Sequence, residues 1–78
     1  MNFNYKRIGE QVKKIRRQNN MTQANLAELT DMSDTYISRI ETGAKRASLE
    51  SLAKIAYILN TSLDGLVFAP GMNVIHFE

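Results

Sequence analysis

The chain predicts an all-α domain of five short helices, the second and third forming a helix–turn–helix. Three observations carry this. Apolar residues recur at helical spacing in separate stretches along the chain. A hydroxyl residue stands ahead of four of them, at Thr22, Ser33, Ser48 and Ser62, where an N-cap is wanted. Residues 22–41 set two amphipathic segments on either side of a tight polar break.

The first helix spans residues 4–19. Ile8, Val12 and Ile15 fall at i, i+4 and i+7 and make its apolar stripe. Asn19 and Asn20 end it, because asparagine tolerates the left-handed conformation that a helix C-terminus uses. The second helix runs from about Gln23 to Leu29 or Thr30, and the third covers residues 34–41. Leu26, Ala27, Met32, Ile37 and Ile40 are the inward positions of this pair. Helices joined by three or four residues cross steeply and need a small residue where they meet, which Ala27 supplies. Ile37 and Ile40 pin the third helix on its inner face and leave Asp34, Thr35, Ser38 and Arg39 pointing outward.

Gly43 stops the third helix and opens a basic loop over residues 44–47. Ser48 caps a fourth helix whose inner stripe is Leu49, Leu52, Ile55, Ala56 and Leu59, closed by Asn60. Ser62 introduces a fifth helix containing Leu63, Leu66, Val67 and Phe68, which Ala69-Pro70-Gly71 ends. The domain thus occupies residues 1–69. Residues 70–78 form a tail whose Val74, Ile75 and Phe77 suit a strand or a frayed end.

At 78 residues the chain is one domain with about the smallest core that folds unaided. It has no cysteine, so no disulfide or thiolate metal site is expected, and a reducing cytoplasm is the natural setting. No apolar stretch is long enough for a signal peptide or a membrane span. His76 is the single histidine and lies in the tail, which argues against a metal cluster, a histidine-dependent nucleophile and an enzyme generally. No glycine-rich phosphate loop occurs, and no cofactor is expected. The formal charge is only +2, yet residues 1–17 hold six cations against Glu10. That lopsidedness suits a polyanion approached from one side, although a solvated helix face has the same composition.

These residues resemble the phage repressor and Cro-type helix–turn–helix family over about residues 8–68. The resemblance rests on Ile15-Arg16, Met21-Thr22-Gln23 and Leu26-Ala27-Glu28. It continues through Ser33, Tyr36-Ile37-Ser38-Arg39-Ile40-Glu41 and Gly43, then Ser48-Leu49 with Leu52, Ile55 and Ala56. It implies a compact five-helix, lambda-repressor-like fold that binds operator DNA as a two-fold dimer. Three positions depart from the family pattern. Asp31 replaces a glycine in the turn, Thr30 replaces a leucine at the end of the second helix, and Ala47 replaces a proline before the fourth.

The expected DNA contacts divide by chemistry. Asp34, Thr35, Ser38 and Arg39 are the candidates for base edges, since arginine forked onto guanine is the commonest specific contact. Asp34 also fits two other roles: repelling phosphates at wrong sites, or complementing the helix dipole. Gln23 opens the second helix, and the resemblance sets this end against a phosphate. Ser33, Lys45 and Arg46 are further backbone candidates. Tyr36 suits either the core or the phosphate side, and the resemblance favours the latter. The resemblance further implies that Arg16 and Glu41 form a structural salt bridge and do not touch DNA.

The expectation is therefore a sequence-specific double-stranded DNA-binding regulator of the bacterial cytoplasm or nucleoid, acting as a homodimeric repressor, with no membrane association. Val67 and Phe68 would form the dimer patch while Leu63 and Leu66 face inward. Two other readings fit the same residues. One is a protein-interaction module such as an antitoxin or adaptor; the other is the DNA-binding fragment of a longer regulator.

Overall fold

Five side chains start five helices. In the computed structural model, whose described residues are 3–68, Asn4, Thr22, Ser33, Ser48 and Ser62 are N-caps. Each accepts a hydrogen bond from the backbone N–H three residues on. Behind them run α1 (Tyr5–Gln18), α2 (Gln23–Thr30), α3 (Asp34–Thr42), α4 (Leu49–Ile58) and α5 (Leu63–Val67). No strand occurs among the described residues. The tail, with the strand considered for Val74, Ile75 and Phe77, lies outside them.

Three helices end in the same way. Asn20, Asp31 and Asn60 adopt φ of 58°, 57° and 56°. In each case the next residue's N–H reaches the carbonyl five positions back: Met21 to Arg16, Met32 to Ala27 and Thr61 to Ala56. This Schellman geometry consumes carbonyls that the helix leaves open. Asparagine and aspartate enter the left-handed region at modest cost, so Asp31 makes the turn between α2 and α3 without glycine. Thr30 is buried rather than merely smaller than a leucine. Its hydroxyl donates to the carbonyls of Leu26 and Ala27 at 2.7 and 3.2 Å, so no polar atom is stranded.

The core is built by Ile8 and Val12 of α1, Leu26 and Ala27 of α2, Ile37 and Ile40 of α3, Leu52, Ile55 and Ala56 of α4, and Leu66 of α5; Ala47, just before the α4 cap, and Leu59, just past α4, complete it. α1 packs on α3 and α5, α2 on α3 and α4, and α4 on α5. At the α1–α3 crossing Gly9 lets the backbones touch. A Cβ there would overlap the Ile40 carbonyl oxygen and lie 2.7 Å from that of Glu41.

Three expected inward positions differ, among them Met32, half-buried in the turn after α2. Leu49 is 71% exposed: it is the first residue of α4, and its side chain stays on the outside, on the rim of the groove described below. Ile15 is half-buried, because Arg16 occupies the inner position one turn beyond Val12. On α5, Leu63, Val67 and the following Phe68 are all half-buried, so the division between core and surface is graded there. Leu63, Val67 and Phe68 line an apolar groove of about 250 Å³, together with Tyr5, Leu49 and Leu52.

Candidate nucleic-acid interface

The turn after Thr30 and the Ser33 cap aim α3 so that Ile37 and Ile40 are inside. Asp34, Thr35 and Arg39 are consequently exposed, and Ser38 is half-buried between them. None of these four side chains takes part in a hydrogen bond or ion pair among the described residues. Arginine and short polar groups held on a rigid helix, with no internal partner, have their hydrogen-bonding capacity available to a ligand. Ser33, Thr35, Arg39 and Lys45 border one open recess of about 430 Å³.

Either side of α3 the groups are suited to phosphate. Gln23, half-buried, opens α2. The Ser33 oxygen accepts the Tyr36 N–H at 3.0 Å, which leaves its hydroxyl hydrogen free to turn outward. Lys45 and Arg46 are exposed and braced on aromatic faces. The Lys45 ammonium lies 5.6 Å from the Tyr36 ring centre, and the Arg46 guanidinium 5.3 Å from that of Tyr5. The Lys45 backbone N–H is spent on the Arg39 carbonyl at 3.2 Å, so what Lys45 offers is charge.

Tyr36 lies between the core and α4. Its ring packs against the core, and its hydroxyl meets Ser51 Oγ of α4 at 3.0 Å. Ser48 Oγ donates to the same Ser51 oxygen at 2.9 Å. α3 is thereby hydrogen-bonded to the start of α4.

Behind this face lies a buried ion pair. Arg16 Nε donates to Glu41 Oε2 at 2.6 Å and Nη2 to Oε1 at 3.1 Å, with side chains 7% and 2% exposed. Arg16 Nη1 donates to the Met21 carbonyl at 2.7 Å, and Gln23 Nε2 to Glu41 Oε1 at 3.0 Å. Every buried side-chain nitrogen and oxygen among the described residues has a partner. With Arg16 withdrawn inward, the exposed charge of α1 is Lys6, Arg7, Lys13, Lys14 and Arg17 against Glu10.

Sequence reasoning did not find Tyr5 as the brace for Arg46, Ser51 as the partner of Tyr36, or the tie between Gln23 and Glu41. Each joins residues 15 or more apart, which helical periodicity cannot relate. Among the described residues no cluster of three or more His, Cys, Asp or Glu could hold a metal. Nor is any described helix long and apolar enough to cross a membrane.

A helix–turn–helix family profile matches residues 12–66. The control protein C.SmaI of Serratia marcescens is 34% identical over 65 residues, covering 83% of this chain and 77% of that protein. The ImmF control region 10 kDa protein of Bacillus phage phi105 is 34% identical over 61 residues, covering 78% and 68%. Among solved structures, the biofilm master regulator SinR of Bacillus subtilis, in complex with DNA, superposes with a TM-score of 0.72 at 28% identity. That match covers 76% of this chain and 95% of that one.

Proposed function

This chain belongs to the helix–turn–helix family, and on that premise we propose that it binds a two-fold operator as a homodimer and represses transcription from it. It is a DNA-binding transcription regulator, and its relatives are regulators rather than enzymes. The observation that carries the finer reading is the outer face of α3. Asp34, Thr35, Ser38 and Arg39 present polar groups that have no partner among the described residues, on a helix whose other side is fixed in the core. In this reading they contact base edges in the major groove. Gln23, Ser33, Lys45 and Arg46 contact the sugar–phosphate backbone, and Tyr36 joins them through the lysine it braces.

A single reading helix covers too few base pairs for a tight site, and two copies a helical turn apart (~34 Å) resolve this. Val67 and Phe68, half-buried on the rim of the apolar groove, are the residues we assign to the dimer contact. The bacterial cytoplasm or nucleoid is the matching location.

Selection of bound sites from a random duplex pool tests the whole reading. The expected result is an inverted repeat whose half-sites lie about one turn apart, with affinity falling steeply as salt rises. Enrichment of no sequence, or binding that ignores salt, would overturn it and favour a protein-interaction module.

A further inference from the structure

A glutamine at a helix start ordinarily has a freely turning amide, but that of Gln23 is held. The Glu41 side chain is 2% exposed and accepts three hydrogen bonds at once. It accepts Arg16 twice and the Gln23 amide once, and through Arg16 it reaches the Met21 carbonyl, the residue before the α2 cap. One carboxylate in the last turn of α3 therefore ties together α1, the segment leading into α2, and the first residue of α2.

The chemistry of that tie dictates which way the amide faces. An ionised carboxylate only accepts, so the Gln23 nitrogen must turn toward it, and a flipped amide would set oxygen against oxygen. Of the two hydrogens on Nε2, one is spent on Glu41. The other is the only side-chain donor Gln23 retains, on a half-buried residue at the α2 end nearest the recognition helix. In a neutral partner such as glutamine, by contrast, either end of the facing amide satisfies the other, and the orientation is lost.

We propose that Glu41 is a positioning residue for DNA: it orients the Gln23 amide so that the remaining Nε2 hydrogen meets a backbone phosphate. The assignment rests on the DNA-binding reading above. It gives the buried pair a task beyond joining α1 to α3, since breaking it alters a contact on the outer surface.

The test uses the full chain and its selected duplex, with single methylphosphonates scanned along each half-site. Wild-type protein should lose about 10- to 100-fold in affinity when the phosphate facing Gln23 is neutralised, the scale of one hydrogen bond to a charged group. Gln23→Leu and Glu41→Gln should each reduce that loss to less than about twofold, the scale of a contact no longer made. The losses at phosphates facing Lys45 and Arg46 should persist in both. A folded Glu41→Gln protein that keeps the full wild-type loss at this phosphate overturns the proposal. Should Glu41→Gln fail to fold, wild-type protein decides alone. On addition of DNA the NMR resonance of the Gln23 Nε2 proton held by Glu41 should stay in place and that of the other should move; a spectrum in which neither moves, or both move alike, overturns the proposal. Wild-type protein that binds no duplex removes the DNA reading itself, whereas binding with an unaltered loss in the variants removes only the role of Glu41.

Discussion

Replacing Gly9 with alanine should be among the most damaging single changes in this chain. The new Cβ would overlap the Ile40 carbonyl oxygen and lie 2.7 Å from that of Glu41. Carbon and oxygen rest at about 3.3 Å or more, so α1 and α3 must separate by at least ~0.6 Å at Glu41 and by more at Ile40. Both obstacles are backbone, and neither can rotate aside. Overpacking of this kind costs about 1–3 kcal/mol, and the higher helix propensity of alanine returns up to ~1. The same separation lengthens the 2.6 Å contact between Arg16 and Glu41, and loss of that buried pair adds toward ~3–5 kcal/mol. With the pair only partly opened, the net loss should be about 2–4 kcal/mol. A domain of this length has a total of roughly 4–12 kcal/mol at ordinary per-residue stability. Urea denaturation followed by circular dichroism at 222 nm is the assay. The transition midpoint should fall sharply, or the variant should be partly unfolded without denaturant. A midpoint equal to wild type would show that the α1–α3 crossing is not as close as described, and would refute the reasoning.

Arg39→Ala should relax base preference at one position per half-site, by about 1–3 kcal/mol, whereas Lys45→Ala should weaken all sequences alike and reduce the salt slope by about one. Identical profiles across a site library would contradict that division of roles. Arg16→Ala should cost roughly 3–5 kcal/mol in urea denaturation, because Glu41 is left charged and buried; unchanged stability would mean that the pair is solvated. Tyr36→Phe should cost about 0.5–1.5 kcal/mol through the lost bond to Ser51, with DNA affinity preserved in proportion. A fall in affinity at unchanged stability would move that hydroxyl onto DNA. Phe68→Asp should shift sedimentation from dimer to monomer, and a wild-type protein that is monomeric on its operator would remove Phe68 from the interface.

What the sequence made legible is local. The cap hydroxyls, the inner pairs Ile37 with Ile40 and Leu52 with Ile55, and Asp31 in the turn could be read because each depends on neighbours within one or two turns. Leu49 was misplaced for the same reason. It keeps helical phase with Leu52, but phase says nothing about whether another element covers a helix end. The Arg16–Glu41 pair, 25 residues apart, came from family likeness and not from pattern. The brace of Tyr5 on Arg46 and the orientation of Gln23 needed coordinates, since they depend on how α1, α3 and the loop after α3 converge. Thr30 fell between these cases. Its position was legible, but its burial depends on its own helix carbonyls accepting the hydroxyl.

The absence of internal partners for Asp34, Thr35, Ser38 and Arg39 among the described residues has an evolutionary consequence. Substitutions there leave the interior almost untouched and should combine nearly additively in stability. A duplicated copy of this gene could therefore drift toward a new target through single viable steps, with no prior stabilising change. Arg16, Gln23 and Glu41 are the opposite case: they share one carboxylate, and a change in any of them is felt by the others. Divergence should accordingly be rapid along the outer face of α3 and nearly frozen in the trio beneath it.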